Sequence, residues 1–190
     1  ASVDTSTTGL KVFRYATTTD PTSLDPTMGN SVPDNEIQHI MQEGLVRNTC
    51  GTIEPGIAET WEISEDGTTY TFHLRDAVYT DGTPITAQDF LYTFRRLADP
   101  ATAAPYSWIM DGHVKNGGDV VAGTLPVEEL GVSAPDDKTF VIELEYPQSY
   151  FLSLIGSCGQ FTPVRQDKVE EYGKDYAATA DKMVTCGPFT

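Results

Sequence analysis

The sequence predicts a mixed α+β fold, and three observations carry that expectation. Apolar side chains alternate over 60–74 and again over 139–144, the period of a sheet with one buried face. Over 34–45 and 86–97 they recur at helical spacing instead. Strands, helices and strands then follow one another within one segment, the order of an α+β module.

Each element has a local reason. Residues 1–9 are rich in Ser and Thr without apolar period and read as a flexible tether. Residues 11–17 alternate and are rich in β-formers, so a first strand is expected there. After a stretch rich in Pro and Asp, Asp34 is expected to cap a helix with Ile37, Ile40, Met41 and Leu45 on its apolar face. Trp61 and Ile63, the Asp66-Gly67 turn, and Tyr70, Phe72 and Leu74 on one face make a β-hairpin. Asp81-Gly82 marks a second turn. Thr86 with Asp89 forms a capping-box start for a helix running to about Leu97, with Phe90, Leu91, Phe94 and Leu97 as its core stripe. Arg95 and Arg96 stand at its C-terminal end, where the helix dipole favours cations, and Asp99-Pro100 stops it. A further helix is expected over 114–122, despite Gly117-Gly118. The turn at Asp136-Asp137 then leads to a strand in which Phe140, Ile142 and Leu144 alternate. An apolar helical turn over 150–155 and a short charged helix over 166–172 complete the chain.

Composition narrows the function. The 190 residues can bury about 70% of their unfolded surface, and nine Tyr, eight Phe and two Trp exclude a solvated, disordered polymer. Twelve Lys+Arg against 28 Asp+Glu leave a formal charge of −16, which argues against nucleic acid or an anionic membrane as partner. No apolar run approaches the roughly 20 residues that span a bilayer and no signal peptide heads the sequence, so the chain reads as a soluble, processed product.

Chemistry-bearing patterns are sparse. There is no Gly-x-Ser-x-Gly elbow, phosphate loop or dinucleotide fingerprint. With 28 carboxylates, acid groupings such as Glu43, Glu54, Glu59 and Glu62 arise by chance. His39, His73 and His113 stand apart from each other and from Cys50, Cys158 and Cys186, so no metal set forms. The cysteines admit two readings: buried or free thiols, or one disulfide with a cysteine left over, which would imply an oxidising compartment. The chain reads as a non-enzyme with no catalytic residues, metal or cofactor.

Several segments taken together carry a resemblance. Ser23-Leu-Asp-Pro26 comes after the first expected strand and Glu43-Gly-Leu-Val46 ends the first expected helix. Next come Pro55-Gly-Ile-Ala-Glu-Thr-Trp-Glu62, Tyr70-Thr-Phe-His-Leu-Arg75, Asp81-Gly-Thr-Pro-Ile-Thr-Ala-Gln-Asp-Phe90, Tyr92-Thr-Phe-Arg-Arg96 and Asp99-Pro100. Leu130-Gly-Val132, Tyr150-Phe151 and Cys186-Gly-Pro-Phe189 close the series. In this order, over nearly everything after Lys11, the sequence resembles the extracytoplasmic oligopeptide- and dipeptide-binding proteins of ABC importers, the family 5 solute-binding proteins.

The resemblance implies a type II periplasmic-binding-protein fold, of which this chain would be an N-terminal fragment with the second lobe missing. Residues 1–10 would be the tether and 11–42 the first segment of the main lobe. Residues 43–164 would form the small extra α+β domain, and 165–190 a return into the main lobe. It implies capture of oligopeptides for a membrane permease, with nickel-chelate, haem or oligosaccharide as the alternative ligands within the family and a hydrolase as the remote alternative. The location implied is extracytoplasmic, either lipid-anchored on the outer face of a Gram-positive membrane or periplasmic. The ligand would lie as an added β-strand, touched by Asn30, Ser31 and Val32, by Tyr106 with Trp108 nearby, and by the segment at Gly156, Ser157 and Cys158, for which Ser157 stands. The same layout implies a disulfide between Cys158 and Cys186, with Cys50 left out.

Overall fold

The computed structural model describes residues 14–188. Its centre is a four-stranded antiparallel sheet in the order β3 (Ala58–Ile63), β4 (Thr69–Leu74), β6 (Thr139–Glu143), β5 (Val132–Asp136). The alternation places Tyr70, Phe72 and Leu74 of β4 and Phe140 and Ile142 of β6 on one buried face, and the register sets Phe72 opposite Phe140 and Tyr70 opposite Ile142. Gly67 and Gly82 supply the positive φ (+74° and +85°) that their turns require. A two-stranded hairpin, β1 (Val46–Thr49) and β2 (Thr52–Pro55), stands beside this sheet.

Helix α2 (Ala87–Ala98) covers the buried face. Thr86 and Asp89 form its capping box, and Asp99 ends it. Phe90, Phe94 and Leu97 are fully buried. The Phe90 and Phe94 rings meet Phe140 at 5.9 and 5.3 Å, and Phe94 meets Phe161 at 5.1 Å. Each such burial contributes about 1.5–3 kcal/mol, so this contact sets the sheet–helix spacing. Leu91 lies at the edge, half-buried.

Helix α1 (Val32–Met41) differs from its expected form in two respects. Its N-cap is Ser31, and Asp34 is the N3 partner in a capping box, because the hydroxyl of Ser31 accepts the Asp34 amide while the Asp34 carboxylate accepts the Ser31 amide. Its buried face is also the polar one. Pro33, Asp34 and Gln38 are buried, whereas Ile37, Ile40 and Met41 are only half-buried. Leu45 lies beyond the helix end and packs in the main core.

Three other expectations are corrected. Residues 14–17 form no strand, and the rest of that segment, 11–13, lies outside the described residues, as does Phe189. Between Ser107 and Met110 the chain makes a 3-10 turn, and α3 is confined to Gly117–Val121, because Asn116 adopts a left-handed φ of 62° that breaks the helix expected from Val114. Val114 instead bridges to Leu144. Thirdly, Cys50, Cys158 and Cys186 are all free thiols. The pairing of Cys158 with Cys186 is not formed, since the Cys186 thiol is engaged with Gln42 and Glu43. Helices α4 (Phe151–Ser157) and α5 (Gln166–Tyr172) occupy their expected positions.

The segments before residue 43 and after 164 are tied in by specific bonds. Arg96 of α2 grips Asp25 through two parallel bonds of 2.8 and 2.6 Å and also donates to the Thr27 hydroxyl at 2.8 Å. Gln160 donates to the Gly29 carbonyl at 3.0 Å. At the other end, Arg165 reaches Asp81 at 3.1 Å, and Thr80 donates to the Thr185 carbonyl at 2.8 Å. Gly187 closes against α1: its N–H meets the Met41 carbonyl at 2.9 Å, and an added Cβ would stand 2.6 Å from the Met41 carbonyl carbon. That approach explains the glycine of the Cys-Gly-Pro segment.

Candidate ligand-binding site

The residues that the sequence marks for ligand contact fall at three places. Asn30, Ser31 and Val32 form the shoulder at the N-terminal end of α1. The backbone there is held by the Asp34 carboxylate, which accepts the amides of Thr22, Asn30 and Ser31 at 2.6, 3.0 and 3.0 Å and the Thr22 hydroxyl at 2.7 Å. Burial pushes the Asp34 pKa up, but these bonds from Thr22, Asn30 and Ser31 outweigh it and hold the carboxyl well below its ordinary value. A rigid loop results, and on it the Val32 side chain stays 69% exposed.

The second place is the 3-10 turn. Tyr106 precedes it, half-buried against the core, while Trp108 is 60% exposed; their rings lie 5.9 Å apart. The third is a cleft of about 750 Å³ at the C-terminal end of α1. Ser157 lines it together with Cys158 and Cys186, and so do the last residues of α1, strand β1 and Arg75. The Ser157 hydroxyl accepts Asn48 Nδ2 at 2.9 Å. Its carbonyl lies 3.0 Å from His39 Nε2, which must therefore carry the proton. The cleft includes Ser157 but neither the α1 shoulder nor the Tyr106–Trp108 pair.

Sequence reasoning missed the charged part of this cleft. Glu43 accepts Arg47, four residues on, and Arg75, from the end of β4, at 2.9 Å. Arg75 Nε also donates to the Gly56 carbonyl at 2.9 Å. Both Glu43 and Arg75 stand in the collinear segments quoted above, which was the available signal. Burial raises the Cys158 pKa and pushes the Cys186 thiol up to about 12, so neither thiol is a poised nucleophile. Among the described residues no group of His, Cys, Asp and Glu side chains could hold a metal ion, and no helix is long and apolar enough to cross a membrane.

An antiparallel sheet capped by α2, with α1 and the return segment beside it, is the arrangement found in solute-binding proteins of the OppA type. The chain superposes on Listeria monocytogenes OppA bound to peptide with a TM-score of 0.84 and 39% identity, over 88% of this chain and 33% of that one. Haemophilus influenzae OppA in complex with the peptide RPPGFSPFR gives 0.82 and 39%, over 88% and 33%. By sequence, the model of the bacterial extracellular solute-binding proteins, family 5 Middle, matches residues 52–190, and the chain belongs to that family. Among curated relatives, the periplasmic oligopeptide-binding protein OppA of Salmonella typhimurium is 42% identical over 88% of this chain and 31% of its own length. The dipeptide-binding protein of Lactococcus lactis is 33% identical over 94% and 32%. The chain thus spans about a third of the length of the relatives it matches.

Proposed function

We propose that this chain is part of an extracytoplasmic binding protein that captures oligopeptides and delivers them to the permease of an ABC importer, without catalysis. The observation that carries the reading is the likeness, at 39% identity, to relatives described with peptide bound. In this reading residues 43–164 are the small domain, a division supported by the main core running from Leu45 to Phe161. Residues 11–42 and 165–190 belong to the main lobe. The location is the outer face of the cell membrane, lipid-anchored, or the periplasm.

The physical task is to hold a backbone while ignoring its side chains, which an added β-strand does through main-chain hydrogen bonds. The Asn30–Val32 segment suits it through the Asn30 carbonyl and the Val32 N–H, because Asp34 takes the Asn30 and Ser31 amides and Asn35 occupies the Ser31 carbonyl, which fixes the segment from behind. Tyr106 and Trp108 offer flat apolar contact at low entropic cost, and Ser157 borders the ligand further along. A chain that spans a third of its relatives binds weakly, since affinity comes from closing two surfaces over the ligand. The test is a nuclear magnetic resonance titration with millimolar pentaalanine amide. Saturable shifts at Asn30–Val32 and at the Trp108 indole are expected, and their absence at both places overturns the reading.

A further inference from the structure

The cleft at the C-terminal end of α1 contains a buried donor with nothing to bind. Gln42 lines the cleft and is only 5% exposed. Its Oε1 faces the Cys186 sulfur at 3.2 Å, and its Nε2 has no partner. The thiol sets the direction of this amide. Cys186 accepts the Glu43 N–H at 3.2 Å, and burial keeps its own proton in place. That proton has two acceptors in reach, Gln42 Oε1 at 3.2 Å and the Glu43 carbonyl at 3.5 Å, and the nearer one turns the amide oxygen toward the sulfur. The NH2 end is left unpaired, an uncommon state for a buried amide.

The surroundings indicate what would satisfy it. Arg47 and Arg75 share one carboxylate, Glu43. Among the arginine and acidic side chains lining the cleft, two cations stand against one anion, with Glu54 opposite Arg47 on the hairpin but outside the lining, in a chain whose net charge is −16. Val46, Ile155 and Pro188 give the remaining wall an apolar part. A single negative charge on a planar acceptor with a short apolar body matches this set. A phosphate dianion would exceed the available charge, and planar guanidinium and amide donors suit a carboxylate.

We propose that this cleft is a carboxylate subsite, in which Gln42 Nε2 donates to one oxygen while Arg47 and Arg75 face the charge. The carboxylate belongs either to the C-terminus of a short peptide or to a free small organic acid. This goes beyond strand-like capture at Asn30–Val32, which needs no charged end.

The test follows the side-chain signals of Gln42 and Arg47 in the isotope-labelled chain during titration with sodium butyrate, with sodium chloride as the control for ionic strength. Saturable shifts with butyrate alone are expected, weakening about tenfold in Gln42→Met and in Arg47→Met. Arg47 is a surface side chain, so its variant keeps the test decisive if Gln42→Met fails to fold. Absence of a saturable shift in the unmodified chain, or unchanged affinity in the folded variants, overturns the proposal. Pentaalanine and its amide separate the two sources. Cleft shifts with the acid form alone assign the subsite to a peptide terminus, whereas shifts with butyrate and neither peptide assign it to a free acid. Loss of the response at Asn30–Val32 counts against peptide capture, and the butyrate arm judges the cleft independently.

Discussion

Replacing Arg96 by Met tests how the early loop is fastened to the sheet–helix core. In the folded chain the Arg96 and Asp25 side chains are 11% and 7% exposed. The substitution removes both Asp25 bonds and the Thr27 bond, and with them the counter-charge of a carboxylate that stays buried. Breaking a buried pair from one side costs about 3–5 kcal/mol, most of it the penalty of the stranded charge. For a chain of this size that corresponds to a fall in melting temperature of roughly 6–20 °C. Asp25 is also the acceptor for the Thr27 amide at 3.0 Å, and its carbonyl accepts Met28 and Gly29, so the damage should reach the shoulder at Asn30. Urea unfolding followed by circular dichroism and by tryptophan fluorescence measures the loss. The double variant Asp25→Asn with Arg96→Met should recover part of it, with a coupling of about 2 kcal/mol. A loss under about 1 kcal/mol for Arg96→Met, as for a surface ion pair, or strict additivity of the two single changes, refutes the argument.

Further consequences can be measured on the same protein. Because the folded pKa of Asp34 is depressed, its contribution is fully present above the unfolded carboxyl value of about 3.9 and is lost as pH falls through the folded value. Asp34→Asn should therefore destabilise the chain at neutral pH and flatten its stability–pH curve below about pH 4, read by unfolding midpoints across an acid series. Native alkylation with iodoacetamide, mapped by mass spectrometry, should modify exposed Cys50 first and Cys186 last, since Cys186 is half-buried, its thiol is engaged by Gln42 and Glu43, and its pKa is pushed up to about 12. A Cys158–Cys186 crosslink in the same map would reverse the free-thiol assignment. Gly187→Ala should cost about 1–3 kcal/mol in urea unfolding, because the new methyl meets the Met41 backbone rather than a movable side chain.

Much of the architecture was legible because it rests on local chemistry. The hairpin through Asp66-Gly67, the capping box at Thr86 and Asp89, the Phe90–Phe94–Leu97 stripe and the charged helix Gln166–Tyr172 each follow from spacing that neighbouring residues impose on one another. Helix α1 marks the limit of that reasoning. Its apolar positions suggested the buried face, yet the face that is buried is Asp34 and Gln38, which bond to Thr22 and to the Asp25 carbonyl, partners at sequence distances of 12 and 13 residues.

The same distinction runs through the site. Residue types and motif order determined the family and proposed the candidates Asn30, Ser31, Val32, Tyr106, Trp108 and Ser157. Tertiary structure decided that Arg96 is the fastening of Asp25 rather than only a favourable charge at a helix end. It decided that Arg47 and Arg75 converge on Glu43, and that Cys186 turns to Gln42 instead of Cys158. Periodicity reports which side of an element meets the core, because burial is cumulative along the chain. Pairing between single polar groups 32 to 144 residues apart, as in Arg75–Glu43 and Cys186–Gln42, depends on where each backbone is carried in space, and no local pattern encodes that.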